Sequence, residues 1–342
     1  MAQGVVNSLE AHLPLRTGRL RAIGLTLVGL SILAAIVALS IFPGSAPAAG
    51  WPFHISSIVL FFAGCYTLFR NTKAEAALPS PTKTVVVSFI IIVLAAAVLR
   101  YYRLDAIPYG TWWDEADISI VAGQVLNNPE FRPVFVRSND HALHFFAVAA
   151  LFFKFLGVST YALRIDTATF GVATAIVAFL LGRELYGNRF GLLMAFLLAV
   201  TRWHITFSRF AMYSVTLPFF QILTLWLLMR AKRTGRIQDF AWAGLALGFG
   251  LNFHIAFRLF PLIVLVFITY WAISAWRSKS IGPGYRSMLV ANVLALATAA
   301  LLAIAPIIQY ALLNADVYWG RSNTVSIFNR RDEPNLAKAL WS

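Results

Sequence analysis

Charge is scarce in this chain. Of 342 residues only 12 % are Asp, Glu, Lys or Arg, against roughly a quarter in an ordinary soluble domain. So few charges cannot cover a globular surface of this size, which excludes a soluble enzyme and a disordered chain. Cysteine is nearly missing as well. Cys65 stands alone, so no internal disulfide can form. There is no glycine-rich phosphate loop, no nucleotide-binding fingerprint, no Ser-His-Asp arrangement and no repeat with a 20–50-residue period. What fills the chain instead is apolar: 59 % of residues, with a mean hydropathy of +0.73. The runs are solid Leu, Ile, Val, Ala and Phe rather than the alternating segments of a transmembrane barrel. The fold class expected is an all-α polytopic membrane protein, because a helix satisfies its own backbone in lipid.

The candidate helices are 22–42, 51–69, 84–100, 142–157, 162–181, 190–203, 213–229, 238–253, 259–276 and 288–306. The first is too long for a signal-peptide core and lacks an obvious cleavage site, so it reads as a retained span. Residues 70–83 form a linker-like break, dividing an N-terminal helix pair (1–80) from a main region (81–342). The net charge of +14 would suggest nucleic acid in a soluble protein. Here it reflects Lys and Arg gathered on the cytoplasmic side, and no nucleic-acid partner is expected. With Arg16, Arg19 and Arg21 inside, a spanning 142–157 would export the short loops holding Arg183, Arg189, Arg230, Lys232, Arg233, Arg236, Arg277, Lys279 and Arg286. Laying 142–157 on the outer face returns them all to the inside. The expectation is therefore nine spans, a cytoplasmic N-terminus, and outer segments 101–161 and 307–342.

Polar chemistry collects in 101–161. Ile118, Val121, Ala122, Val125 and Leu126 repeat with helical spacing, so an amphipathic helix begins near Asp114. Two readings of Asp114 stand side by side. Thr111-x-x-Asp114 fits a helix-capping signature, and acids in a first turn complement the dipole. Alternatively, a carboxylate beside Trp112 and Trp113 at the membrane surface is poised as a general base.

The order of motifs resembles a family. Asp114-Glu115 opens the outer helix. A second apolar helix follows, from His144 to Gly157. Then come Tyr161-Ala-Leu-Arg164, the turn from Leu181 to Arg189, and Thr201-Arg-Trp-His204-x-x-x-Ser208-Arg209. From about residue 84 onward this resembles the GT-C glycosyltransferases that use polyprenyl-phosphate sugars, such as the protein O-mannosyltransferases and the aminoarabinose lipid A transferases. The resemblance implies a GT-C-like bundle with two outer juxtamembrane helices, and Asp114 as catalytic carboxylate with Glu115 its companion. It implies an inverting transfer from a polyprenyl-phosphate-linked sugar donor to a lipid, glycan or protein acceptor at the outer face of the plasma (inner) membrane. Many relatives carry a Pro-Pro pair where this chain reads Ser138-Asn139-Asp140-His141-Ala142, so Asp140 and His141 are candidates for a polar role there.

Other ionisable residues map to the outer ends of spans, where they are costly unless they face a polar cavity or the interface. Arg164 is a phosphate ligand or a snorkelling anchor. Trp203-His204 and Ser208-Arg209 lie at one outer turn, and Asn252, His254 and Arg258 at another. Guanidinium groups converging there would hold a lipid-linked phosphate bidentately. His54, His141, His144, His204 and His254 lie in the outer half, and His12 inside. No pair of them forms a zinc motif, so no cofactor is expected, a divalent ion being known only in the wider superfamily. Gly244-x-x-x-Gly248 is read as a close helix contact. Two rival readings remain: a lipid or solute transporter, or flippase, whose charges would sit nearer the midplane, and a truncated, inactive relative whose last outer loop (307–342) is incomplete.

Overall fold

The computed structural model describes residues 18–69, 78–277 and 283–325. His12, Arg16, Arg70, Lys73, Lys279 and the expected last loop beyond residue 325 lie outside the described residues. In chain order the helices are α1 (Arg19–Ile41), α2 (Gly50–Leu68), α3 (Lys83–Tyr101) and α4 (Trp113–Asn127). A two-residue hairpin follows, β1 (Phe135–Val136) against β2 (His141–Ala142). The rest is α5 (His144–Leu156), α6 (Thr160–Tyr186), α7 (Asn188–Val200), α8 (Arg202–Arg209), α9 (Thr216–Thr234), α10 (Ile237–Phe253), α11 (Phe260–Arg277), α12 (Pro283–Leu313) and α13 (Ala315–Val325). The protein is an all-α polytopic membrane protein.

Its helices are built inside out relative to a soluble bundle. On α1, Ile32, Leu33 and Ile36 are more than half exposed, while Gly24, Ser31 and Ala38 are buried, the first two against α2. Small residues let the two backbones approach, and Ser31 Oγ donates to the Ser57 carbonyl at 2.7 Å. A Cβ at Gly244 would collide with the Leu296 carbonyl oxygen, and one at Gly248 with the Ala300 carbonyl oxygen. The two glycines therefore seat α10 directly on α12, as the sequence motif requires.

Three expectations differ in detail. Among the described residues, seven helices are long and apolar enough to cross a membrane, or eight if the bent pair α7–α8 is one span, where nine spans were expected. The remaining expected span, 238–253, is α10, only 17 residues long and bearing Gln238, Asp239 and Asn252. These polar groups are buried among protein: Asn252 Nδ2 donates to the Gly248 and Ala303 carbonyls at 2.9 and 3.1 Å. Second, 190–203 is not one straight helix. The chain turns by 57° between α7 and α8, where Thr201 leaves helical geometry. Third, the segment after residue 306 is not a loop at its start. Helix α12 continues through Pro306 to Leu313, and α13 follows.

Helices α6 and α9 both run from the α4–α5 end of the bundle to an opposite end. There Arg233 pairs with Glu184, and Arg230 with Asp239 at 3.4 Å. Gly235 closes α9 with a left-handed φ of 65°, which a glycine adopts without steric strain. The polar groups nominated from the sequence lie at the α4–α5 end.

Candidate active site

Helix α4 buries Ile118, Val121, Ala122 and Val125, and its first turn is fixed by Glu115. The Glu115 Oε2 atom accepts the Trp112 N–H at 2.8 Å, and Oε1 accepts the Ala211 N–H at 3.1 Å. Arg164, on α6, grips both oxygens, Nε to Oε1 at 2.8 Å and Nη2 to Oε2 at 2.9 Å. Glu115 and Arg164 are 0 % and 1 % exposed. Burial alone pushes the Glu115 carboxyl up. The Arg164 guanidinium and the two N–H groups more than reverse this and hold it below the ordinary carboxylate value. The rest of Arg164 is also committed: Nη1 donates to the Leu104 and Pro108 carbonyls, and Nη2 to that of Gly110. All five guanidinium N–H groups thus serve residues 104–115, with none left to meet a phosphate.

This arrangement divides the acidic pair. Thr111, half of the expected capping signature, instead shares a hydrogen bond with Thr160 at 3.2 Å. The capping bond is made by Glu115, three residues after Trp112. Asp114 is left half-buried between the exposed Trp113 and the helix, with no hydrogen bond or ion pair among the described residues. A carboxylate there sits in the first turn of α4, on the favourable side of its amide dipoles.

Arg209 and Arg100 form a reciprocal clasp. Arg209, at the end of α8, donates to the carbonyls of Leu99, Arg100, Tyr102 and Ile107, closing the end of α3. Arg100, at the end of α3, donates to Leu198 and Ala199 at the end of α7, to Ala96, to Ser208 Oγ, and from Nη2 to His204 Nδ1 at 2.8 Å. Two cations thereby face two sets of orphan helix carbonyls, the favourable sense for the dipole. A Cβ at Gly171 would strike Ser208 Oγ and the Arg100 guanidinium, so glycine is required opposite the clasp. Arg100 went unnominated from the sequence, although an arginine ending an apolar run was the signal to find it.

Four nominated residues meet elsewhere. Asp140, His141, His254 and Arg258 line one narrow cleft, with Asn252 and Tyr318. Asp140 closes the hairpin with a left-handed φ of 54°, a conformation Asp tolerates better than most residues. The His141 ring stacks on Tyr213 at 3.9 Å and lies 6.1 Å from that of His254. Arg258 lies over the rings of Tyr318 and Trp319, at 4.1 and 5.1 Å. The two groups of residues share one connector. Ala211 holds Glu115, and Tyr213 holds His141. Two residues of chain span about 7 Å. Among the described residues, no group of three or more His, Cys, Asp or Glu could hold a metal ion.

With this geometry in view, comparison with known proteins is informative. Residues 140–310 match the family model for dolichyl-phosphate-mannose-protein mannosyltransferases. The chain belongs to that family. The matched part of this mannosyltransferase-family chain takes in Arg164, Arg209 and the Asp140, His141, His254 and Arg258 side of the cleft, whereas Arg100, Asp114 and Glu115 precede it. An uncharacterized protein of Aquifex aeolicus (strain VF5) is 30 % identical over 146 residues, 41 % of this chain. The aligned stretch spans 28 % of that relative's own length.

Proposed function

We propose that the chain is a membrane glycosyltransferase of the GT-C type that moves a monosaccharide from a polyprenyl-phosphate carrier to an acceptor hydroxyl, with inversion. Family membership supports the transferase class. One observation carries the choice of base: of two adjacent acids at the start of α4, Glu115 is fully bonded and Asp114 is not. Asp114 accepts the proton of the acceptor hydroxyl as that oxygen attacks the anomeric carbon. The anomeric C–O bond to phosphate breaks, its electron pair leaves with polyprenyl phosphate, and attack opposite the leaving oxygen inverts the centre. Glu115 and Arg164 position the base and touch no substrate. Arg258 and His254 are the groups assigned to the departing phosphate, because they line the cleft with Asp140 and His141, whereas Arg164 and Arg209 serve Glu115 and backbone carbonyls. Electrostatic contacts of this kind carry much of the acceleration in transferases that release an anion.

The donor's isoprenoid tail finds an apolar cleft of about 610 Å³ between α2, α5 and α10, walled by Ile55, Ile58, Leu151, Phe249 and Phe253 with Arg132 at its margin. The compartments are assigned by charge: the Arg183–Arg233 end faces the cytoplasm and the α4–α5 end the exterior of the plasma membrane. No cofactor is assigned a step. The test is transfer of radiolabelled sugar from its polyprenyl phosphate to membrane acceptors by the purified chain. Asp114→Asn is expected to lower turnover by about 10²–10⁴-fold while the protein remains folded. Turnover at the wild-type rate removes Asp114 as the base, and solute flux in proteoliposomes without sugar transfer replaces the transferase with a transporter.

A further inference from the structure

The hairpin loop 137–140 has a second side. Asp140 lines the narrow cleft described above, whereas Arg137 reaches α12. Its Nε donates to Tyr310 Oη at 3.1 Å and its Nη2 to Asn314 Oδ1 at 3.4 Å. A guanidinium has five N–H groups. Arg137 is exposed, and its three others have no partner among the described residues. That sets it apart from Arg100 and Arg164, whose donors are all used.

Two clefts, of about 330 and 420 Å³, meet at this guanidinium and share Phe42, Val134 and Tyr310 as walls. Neither is lined by an acidic side chain. Arg137 is the one charged group lining them, and the other polar lining is neutral: Gln124, Ser138, Gln309, Asn314 and Tyr310. The chemistry asked for is an anion carrying hydroxyl or amide groups. Depth narrows the choice further. The clefts sit where α1 ends, where the turn into α2 begins and where α12 ends. These are the termini of span-length apolar helices, hence the headgroup level of a bilayer. Leu312 and Leu313 are well exposed beside them and offer apolar surface to an acyl chain.

We propose that these joined clefts bind the phosphate-bearing headgroup of an anionic lipid, with Arg137 as the phosphate ligand and Tyr310 and Asn314 holding it in place. Guanidinium matches phosphate oxygens bidentately, and the neutral lining serves the rest of the headgroup. The site is separate from the Asp114 chemistry and stands whether or not that assignment does.

The test uses the full chain in a non-ionic detergent, with bound lipid followed by native mass spectrometry. The probes are dihexanoyl phosphatidylglycerol, dihexanoyl phosphatidylcholine and inorganic phosphate. Retention of phosphatidylglycerol is expected to be at least about tenfold stronger than that of phosphatidylcholine, and equimolar inorganic phosphate should not displace it. Arg137→Gln should weaken that retention at least about tenfold. Asn314→Asp should do the same by setting a competing carboxylate against the guanidinium. This second variant keeps the arginine, so it decides the matter if the first fails to fold. Equal retention of the two lipids, displacement by inorganic phosphate, or unchanged phosphatidylglycerol binding in folded Asn314→Asp would overturn the proposal.

Discussion

Two polar regions lie within a few residues of one another at the α4–α5 end, and they treat arginine in opposite ways. Around Glu115, the guanidinium groups of Arg164, Arg100 and Arg209 face backbone carbonyls and one buried carboxylate. Around Asp140, Arg258 lies on aromatic faces beside two histidines, in a cleft with Asp140 on its wall. The first region is a knot: its donors are taken up by backbone carbonyls at helix ends and in a tight loop, by the Glu115 carboxylate, by Ser208 Oγ and by His204 Nδ1. The second leaves polar groups lining a space. An arginine at the end of a span on which backbone carbonyls converge is therefore a structural clasp. Removing groups from each region separates the two roles.

The largest effect is expected from Arg164→Ala. It strands a buried carboxylate, and breaking one side of such a pair costs about 3–5 kcal/mol. The thermal unfolding temperature in detergent should fall and activity should fall with it. Asp114→Asn, one residue from Glu115, should do the reverse: lose transfer and keep the unfolding temperature within the small range of a surface substitution. If Asp114→Asn lowers stability as much as Arg164→Ala does, the division between the two acids is wrong.

That division was only half present in the sequence. The helical spacing of Ile118, Val121, Ala122 and Val125 places the start of α4 correctly, because an amphipathic repeat is a local property. Gly244 and Gly248 are likewise recognisable, since small residues four apart leave room for a neighbouring backbone whichever helix supplies it. The capping partner was mistaken by one residue: Thr111 and Asp114 fit the pattern, yet Trp112 and Glu115 make the bond. Nothing local distinguishes those alternatives. Arg164 at α6 decides between them, 49 residues away in sequence. The roles of Arg164 and Arg209 were hidden for the same reason, as their partners are carbonyls 54 or more residues distant. The 57° turn at Thr201 carries no proline or glycine to announce it. It was visible only in the change from the apolar face of α7 to the mixed sequence of α8.

A smaller effect is expected in the second region. Arg258→Gln removes a cation from the cleft while leaving the knot intact. Charge-assisted hydrogen bonds are worth about 1.5–3 kcal/mol, so the KM for a polyprenyl-phosphate sugar should rise about tenfold or more. The pH profile should keep the wild-type shape, since Asp114 is untouched. A change in kcat alone, with KM unaltered, would move Arg258 out of the donor site.

The smallest effect is one of pH on the knot itself. The folded protein holds the Glu115 carboxyl below its ordinary value, and the unfolded chain returns it to about 4.3. Above that unfolded value both states are ionised and the full stabilisation is present. As pH falls through it, the unfolded state takes up the proton first, so stability declines and is lost once the folded carboxyl is also protonated. The unfolding temperature should therefore be flat down to about pH 5 and fall below it, with the Glu115-dependent part absent in Glu115→Gln. The substitution itself should lower stability at neutral pH, because an amide offers one acceptor oxygen where Trp112, Ala211 and Arg164 ask for two. Identical acid sensitivity in Glu115→Gln would mean that the pair does not govern the fold at this end of the bundle. The separation of a structural acid from a chemical one would then lose its physical basis.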